Sequence, residues 1–308
     1  MKKLKLSIFL IIYSFFLITF GNSLENKILF KVNNEIITSL DIFNEIKYLE
    51  IINEELKNVE KKQAFEIAKK SLIREKIKEL ELKKLINEIK LEDQFLDKFL
   101  IDYFKKFKIN SISDFENYFN LIGINPNLIR KKISIEILWN QLIFRKYNQN
   151  VKIDKQKIID DLKKKEKQKQ LLLSEILFNV GENEELNNKF DQIKNKINNS
   201  NFAEAALIYS VSDTAKKGGE LGWINKSSLS NKIKDKLQDI NIGNYSNPII
   251  IPGGFIILKI ENIKEVEINI DQDKEIDKII KDKTNEQLNQ FSNIFFNKIQ
   301  KNIKINEF

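Results

Sequence analysis

The chain contains no histidine and no cysteine. Without thiols there is no disulfide, no thiolate nucleophile and no lipoprotein attachment point. With imidazoles missing too, zinc chemistry is excluded and only carboxylates or carbonyls remain as metal ligands. Proline and glycine are scarce, at 3 and 9 residues of 308, which argues against collagen-like and disordered classes and for long helices. No nucleotide-binding motif is present, and neither a cofactor nor a metal is expected.

What is there is a chain that folds. Hydrophobic residues make up 42% and charged residues 31%, and the length allows about two domains on a prior of roughly 150 residues each. The abundance of Lys, Asn and Ile reads as the imprint of AT-rich coding DNA. The formal charge of +8 raises the possibility of nucleic acid, yet the lysine-rich stretch Lys152–Lys169 accompanies no nucleic-acid motif and reads as a solvated helical linker.

Lys2, Lys3 and Lys5 precede the uncharged apolar run Leu6–Phe20, and Gly21 and Ser23 follow as small residues. This is the pattern of a secretion signal, with cleavage expected after Ser23. An uncleaved membrane anchor is the alternative, but the run falls short of the roughly 20 residues that a spanning helix needs.

Periodicity sets out the rest. Ile28–Ile37 alternates weakly around Asn33-Asn34, which suits a short hairpin or a strand before a helix. Thr38 and Asp41 form a capping box opening a helix with Phe43, Ile46, Leu49, Ile52 and Leu56 on one face. Helical spacing continues from Phe65 to Ile89, and Phe95, Phe99, Tyr103 and Phe107 form an aromatic stripe expected in the core. Ser113 with Glu116 predicts a second capping box, Gly123 a helix end and Pro126 the start of a helix through Ile129, Ile133, Ile137, Trp139 and Ile143. From Leu171 the period shortens. Strands are predicted at Leu171–Phe178, Glu220–Ile224, Asn247–Ile251 and Phe255–Ile263, with helices near Glu184–Ile197, Phe202–Ile208 and Leu229–Leu237. Asp271–Lys301 closes the chain as one long amphipathic helix that must dock on the N-terminal helices. Asp213 with Glu220, and Asp271 with Asp273, lack a calcium-loop pattern and read as solvated surface.

Four ordered segments, LLLSEILF, FAEAALIYSVS, KKGGELGWI and IIIPGGFIILKI, resemble a parvulin-type (PpiC-type) peptidyl-prolyl isomerase domain. Gly218 and Gly219 supply backbone geometry closed to other residues, and Gly222 a close strand approach. The flanks, KVNNEIITSLDI, NYFNLIGINPNLIRKKI and the C-terminal helix, resemble the SurA periplasmic chaperones. The resemblance implies an α+β chain: signal peptide 1–23, helical chaperone domain 24–150, charged helical linker 151–170, one parvulin-like domain 171–264 with a small antiparallel sheet, and a C-terminal helix 265–308 docking on the N-terminal domain.

In parvulins one histidine follows a serine on the first strand and another follows a Gly-aromatic pair on the last. Those positions are Glu175 and Ile256 here. Ser212 takes the turn position often held by Cys or Asp, and Leu221, Leu229 and Ile233 match the apolar proline-holding wall. The resemblance therefore implies a periplasmic chaperone for unfolded or nascent outer-membrane proteins and proline-containing peptides, exported by the Sec route, with weak or lost isomerase activity. It implies contact with the outer-membrane assembly machinery and no nucleic-acid or nucleotide partner. The alternative is an active isomerase foldase, tethered through Leu6–Phe20.

Overall fold

Asn33, at a φ of 51°, turns the chain between β1 (Ile28–Val32) and β2 (Glu35–Thr38). Asn tolerates this left-handed geometry better than other side chains, so the hairpin sits where the sequence placed it. The structure, a computed structural model, describes residues 26–163, 167–181, 184–267 and 272–308. The expected signal segment and the Asp271 position lie outside these residues, as does the side chain of Asp273.

Thr38 caps α1 (Ser39–Ile52) as the capping box predicts. The Asp41 amide donates to Thr38 Oγ1 at 3.2 Å and the Thr38 amide to Asp41 Oδ2 at 2.8 Å. The buried face is Ile42, Glu45, Tyr48, Leu49 and Ile52. Phe43, expected on that face, is exposed, and Leu56 reaches the core from a separate 3₁₀ turn, Glu54–Asn58. α2 spans Lys61–Leu82. The helical pattern expected to run to Ile89 stops earlier: the Lys83 and Ile86 amides bond back to Glu79 and Leu82, and Leu85 is 62% exposed.

α3 (Asp93–Phe104) corrects the aromatic stripe. Leu96, Leu100 and Phe104 are its buried face, while Phe95 and Phe99 are exposed and Tyr103 and Phe107 cover the flank. α4 (Ile112–Leu121) is capped by Ser111, whose hydroxyl accepts from the Asp114 amide at 3.1 Å, and not by the expected Ser113 and Glu116 pair. Gly123, at a φ of 73°, ends it, and Pro126 opens α5 (Pro126–Tyr147). Both follow the sequence expectation.

α6 (Lys155–Lys163) occupies the first part of the expected linker, but β3 (Lys167–Phe178) already begins within it. Lys167–Gln170 pairs antiparallel with Lys264–Glu267 of β6 (Gly254–Glu267), so that stretch is strand and not helix. α7 (Leu186–Asn199), α8 (Phe202–Tyr209), β4 (Glu220–Asn225), α9 (Asn231–Leu237) and β5 (Ile249–Ile251) complete this module. Its four-stranded antiparallel sheet has the order β4-β3-β6-β5.

Because successive strand residues face opposite ways, β3 and β6 serve two cores. Leu171, Leu173 and Leu177 pack with Ile256, Leu258, Leu229 and Ile233 on one face. Ile176, Phe178 and Ile257 pack with Phe202, Ala205 and Ile193 on the other.

α10 (Gln272–Gln300) and β7 (Ile305–Glu307) return the chain to its beginning. β7 pairs with β1, making a three-stranded sheet in the order β2-β1-β7, a strand the sequence reading did not anticipate. Phe295 stacks on Trp139 with ring centroids 5.6 Å apart, and the Trp139 indole N–H donates to Ser292 Oγ at 2.8 Å. The helical core therefore takes side chains from both ends of the chain. Among the described residues no helix is long and apolar enough to cross a membrane.

Candidate functional site

Leu173, Glu175 and Leu177 alternate along β3 and point one way, into a cavity of about 400 Å³. The six residues matched to the parvulin site line it: Glu175, Ser212 and Ile256 from the positions of its centre, and Leu221, Leu229 and Ile233 from the proline wall. Leu258, Ile251 and Trp223 extend the apolar side.

The polar end is a chain of hydroxyls. The Leu177 amide donates to Ser210 Oγ at 3.1 Å, which lies 3.2 Å from Ser212 Oγ. Ser212 Oγ is 2.5 Å from Thr214 Oγ1, and Thr214 donates to Glu175 Oε1 at 2.8 Å. Burial pushes the Glu175 carboxyl above its usual value, the Thr214 and Ser212 hydroxyls pull it back, and the Asp213 charge adds to the rise. Hydroxyls both donate and accept, so Ser212 Oγ can offer a donor to a peptide carbonyl or an acceptor to a peptide N–H. Thr214, the link between Ser212 and the carboxyl, was not anticipated. Its signal was the spacing of Ser210, Ser212 and Thr214, the first two extended and the third at the start of the 3₁₀ turn Asp213–Lys217.

Glycines position this loop. Gly219, at a φ of 84°, passes so close to β3 that a Cβ there would sit 2.2 Å from the Glu175 carbonyl oxygen. The Glu175 amide donates to Gly219 O at 2.8 Å at the start of the β3–β4 pairing. Gly222, expected to allow close strand approach, has open space around it. Its φ of 79°, beside the irregular register between Leu173 and Ser174, is the reason for glycine there.

The loop is also clamped from outside the module. Asp213 accepts from Arg74 Nε at 2.9 Å and from Lys78 Nζ at 3.0 Å, and Lys78, fully buried, also reaches Glu136 at 2.6 Å. Desolvation would raise the Asp213 carboxyl, but Arg74, Lys78 and Lys216 hold it far below the usual range. Lys70 Nζ donates to Ile208 O at 2.7 Å and Asn201 Nδ2 to Glu55 at 3.1 Å, adding two further ties to the helical body.

The other wall of the cavity comes from α10, through Asp282, Asn285, Glu286, Asn289, Gln290 and Asn293. None of these was singled out in the sequence. Asn225, fully buried in β4, accepts from Gln170 Nε2 at 2.8 Å and donates to Glu275 of α10 at 2.9 Å, and Lys283 donates to Ser228 O at 2.8 Å. These bonds hold the helix against the module. No group of His, Cys, Asp or Glu side chains suited to a metal ion occurs among the described residues.

The antiparallel sheet thus carries an apolar cavity that ends in a relay of hydroxyls and one carboxyl. Residues 175–262 match the Rotamase family, the PPIC-type PPIASE domain. The rotamase module thus spans the sheet from Glu175 to β6. Chaperone SurA of Burkholderia orbicola (strain AU 1054) is 27% identical over 157 residues, which is 50% of this chain and 32% of that protein. Chaperone SurA of Chromobacterium violaceum is 29% identical over 87 residues, 28% of this chain and 20% of that protein. The chain thus aligns with between a fifth and a third of the length of these two relatives. A solved structure from a study of PEB4 and Cj1289, two structurally related SurA-like chaperones of Campylobacter jejuni, covers 92% of this chain and 99% of its own, with 18% identity and a TM-score of 0.36.

Proposed function

We propose that this protein is a periplasmic chaperone that holds unfolded outer-membrane proteins, and that its rotamase module binds their proline-containing segments with weak or lost turnover. The observation that carries this reading is the cavity itself. Its apolar side gathers the proline-wall candidates Leu221, Leu229 and Ile233 beside Ile256 and Leu258, while its polar end holds hydroxyls and one carboxyl in place of imidazoles. The likeness to proteins named Chaperone SurA supports it. Exposed apolar side chains on the helical body, among them Phe43, Leu121, Leu128 and Phe144, add weak contacts for an extended client. Several such contacts joined along one client raise the effective affinity without any tight site. The test is light scattering of an unfolded β-barrel protein diluted from urea. Aggregation should fall as the chaperone is added in small molar excess, and an unchanged scattering curve would reject the reading.

A second reading, an active isomerase, draws on the Ser210–Ser212–Thr214–Glu175 relay. Rotation about the prolyl bond needs no covalent or proton-transfer step. A site that favours the twisted amide lowers the barrier of about 18–20 kcal/mol. The two readings separate on variants of the site. Glu175→His with Ile256→His is expected to raise proline-peptide turnover about tenfold, the effect of about 1.4 kcal/mol of added transition-state stabilisation. Wild-type turnover that is lost on Ser212→Ala or Leu229→Ala, with client holding intact, favours the isomerase reading, and an unchanged rate in the folded double variant counts against the placement of the site at Glu175 and Ile256.

A further inference from the structure

α10 contributes two neighbouring stripes to the cavity, Asp282–Glu286–Gln290 and Asn285–Asn289–Asn293. Residues four apart stack on one side of a helix, so both stripes face the same way along its length. Their repeat of about 6 Å is close to the roughly 6.6 Å between alternate residues of an extended chain. The Asn285 and Asn289 amides, each a donor and an acceptor, are therefore spaced to meet an extended peptide backbone.

The charge of this wall is one-sided. Among the described residues the cavity is lined by Glu175, Asp213, Glu220, Asp282 and Glu286 and by no lysine or arginine, in a chain of formal net charge +8. Asp213 is occupied by Arg74 and Lys78, and Glu175 by Thr214. Glu220, Asp282 and Glu286 complete the acidic lining, Asp282 with Lys278 and Lys281 nearby and Glu286 with Lys283 and Lys234 nearby. Asp282 Oδ2 is buried with no hydrogen-bond partner among the described residues. Burial pushes the Asp282 carboxyl up, with Lys278 and Lys281 lowering it and Glu275 raising it. It pushes Glu286 up as well, against Lys283 and Lys234. A carboxylate left dry at a cavity wall is unfavourable until a cation arrives.

We infer that the cavity selects proline segments with a lysine or arginine beside the proline, the ring against Leu229, Ile233 and Ile256 and the cation against Asp282 and Glu286. The inference rests on the peptide-binding reading above. It adds a specificity wall supplied from outside the rotamase module.

The test is fluorescence anisotropy on the whole protein with dye-labelled pentapeptides Ala-Xaa-Pro-Xaa-Ala, where Xaa is Lys, Ala or Glu. At low salt the Lys probe should bind on the order of tenfold more tightly than the Glu probe, and the gap should close near 0.5 M NaCl as screening shortens to a few ångströms. Asp282→Asn with Glu286→Gln should reduce the gap to within about threefold, and Asp282→Lys should reverse the order. Should these variants melt early, the salt titration of the wild-type protein carries the same decision. Equal binding of all three probes overturns the inference and leaves the peptide-binding reading standing. Binding of none overturns both.

Discussion

Lys132→Met is expected to lower stability by about 3–5 kcal/mol at neutral pH. Lys132 lies on α5, nearly excluded from solvent, with its ammonium 2.8 Å from Glu45 Oε2, bonded to Glu75 and 5.3 Å from the Tyr48 ring centroid. Ser71 donates to the same Glu45 carboxylate. Burial works to raise Glu45, but Lys132 and Lys216 with the Ser71 hydroxyl hold it below its usual 4.5. Methionine fills much of the space and leaves that carboxylate charged and unpaired, which is why the loss exceeds that of a surface pair.

The pH dependence has a definite sign. In the wild type a depressed carboxyl stabilises the fold above its unfolded value of 4.5, and this contribution disappears as pH falls through the lower folded value. In the variant the same carboxyl rises, takes up a proton and ceases to be a buried charge. The gap between the two proteins should therefore narrow from pH 7 toward pH 4.5. Urea unfolding at several pH values measures it. A gap below about 1 kcal/mol, the scale of a solvent-exposed ion pair, would show the triad to be surface-like.

Gly219→Val should unseat the rotamase site. The left-handed backbone at Gly219 costs an L-residue about 1–2 kcal/mol. The added Cβ would also lie 2.2 Å from the Glu175 carbonyl and 3.2 Å from Ala206 Cβ. Overpacking of this kind adds about 1–3 kcal/mol. The clash is with backbone, so no rotamer change relieves it and β4 must move away from β3. That movement separates Thr214 from Glu175 and opens the polar end of the cavity. Differential scanning calorimetry should show a loss of about 2–5 kcal/mol, accompanied by loss of proline-peptide binding. Gly222→Ala, with the same backbone preference and open space around it, is the control and should retain binding. A Gly219→Val protein that melts and binds like the wild type would contradict the close approach.

Most of the architecture was legible because its signals are local. Thr38 with Asp41, Pro126, Gly123 and the alternating strands each declare themselves within a few residues. The errors occurred where two solutions share one pattern. In α3 the aromatic set Phe95, Phe99, Tyr103 and the set Leu96, Leu100, Phe104 have the same spacing on adjacent stripes, and only packing against α4 and α5 decides that the second is inside. The buried charges were illegible for a different reason. Lys78 and Lys132 look like solvent-facing helix positions until Asp213, Glu136, Glu45 and Glu75 arrive from elsewhere in the chain. The site shows the same division. Its apolar wall follows from strand alternation, whereas the polar wall comes from α10, whose asparagines are hard to distinguish from the asparagine-rich background of the whole sequence.

β1 has neighbours on both sides, Glu35–Thr38 across a tight turn and Ile305–Glu307 from the far end of the polypeptide. The helical body is thus a single unit split in two, with the rotamase module inserted between its halves. Closing such a unit requires pairing Phe30 with Glu307, far apart along the described chain, which slows the final step relative to local hairpins and helices. The module can assemble around its own sheet beforehand. The body cannot complete its smaller sheet until the last strand is free to reach the first, so α5 must wait with Trp139 uncovered by Phe295 and Phe296.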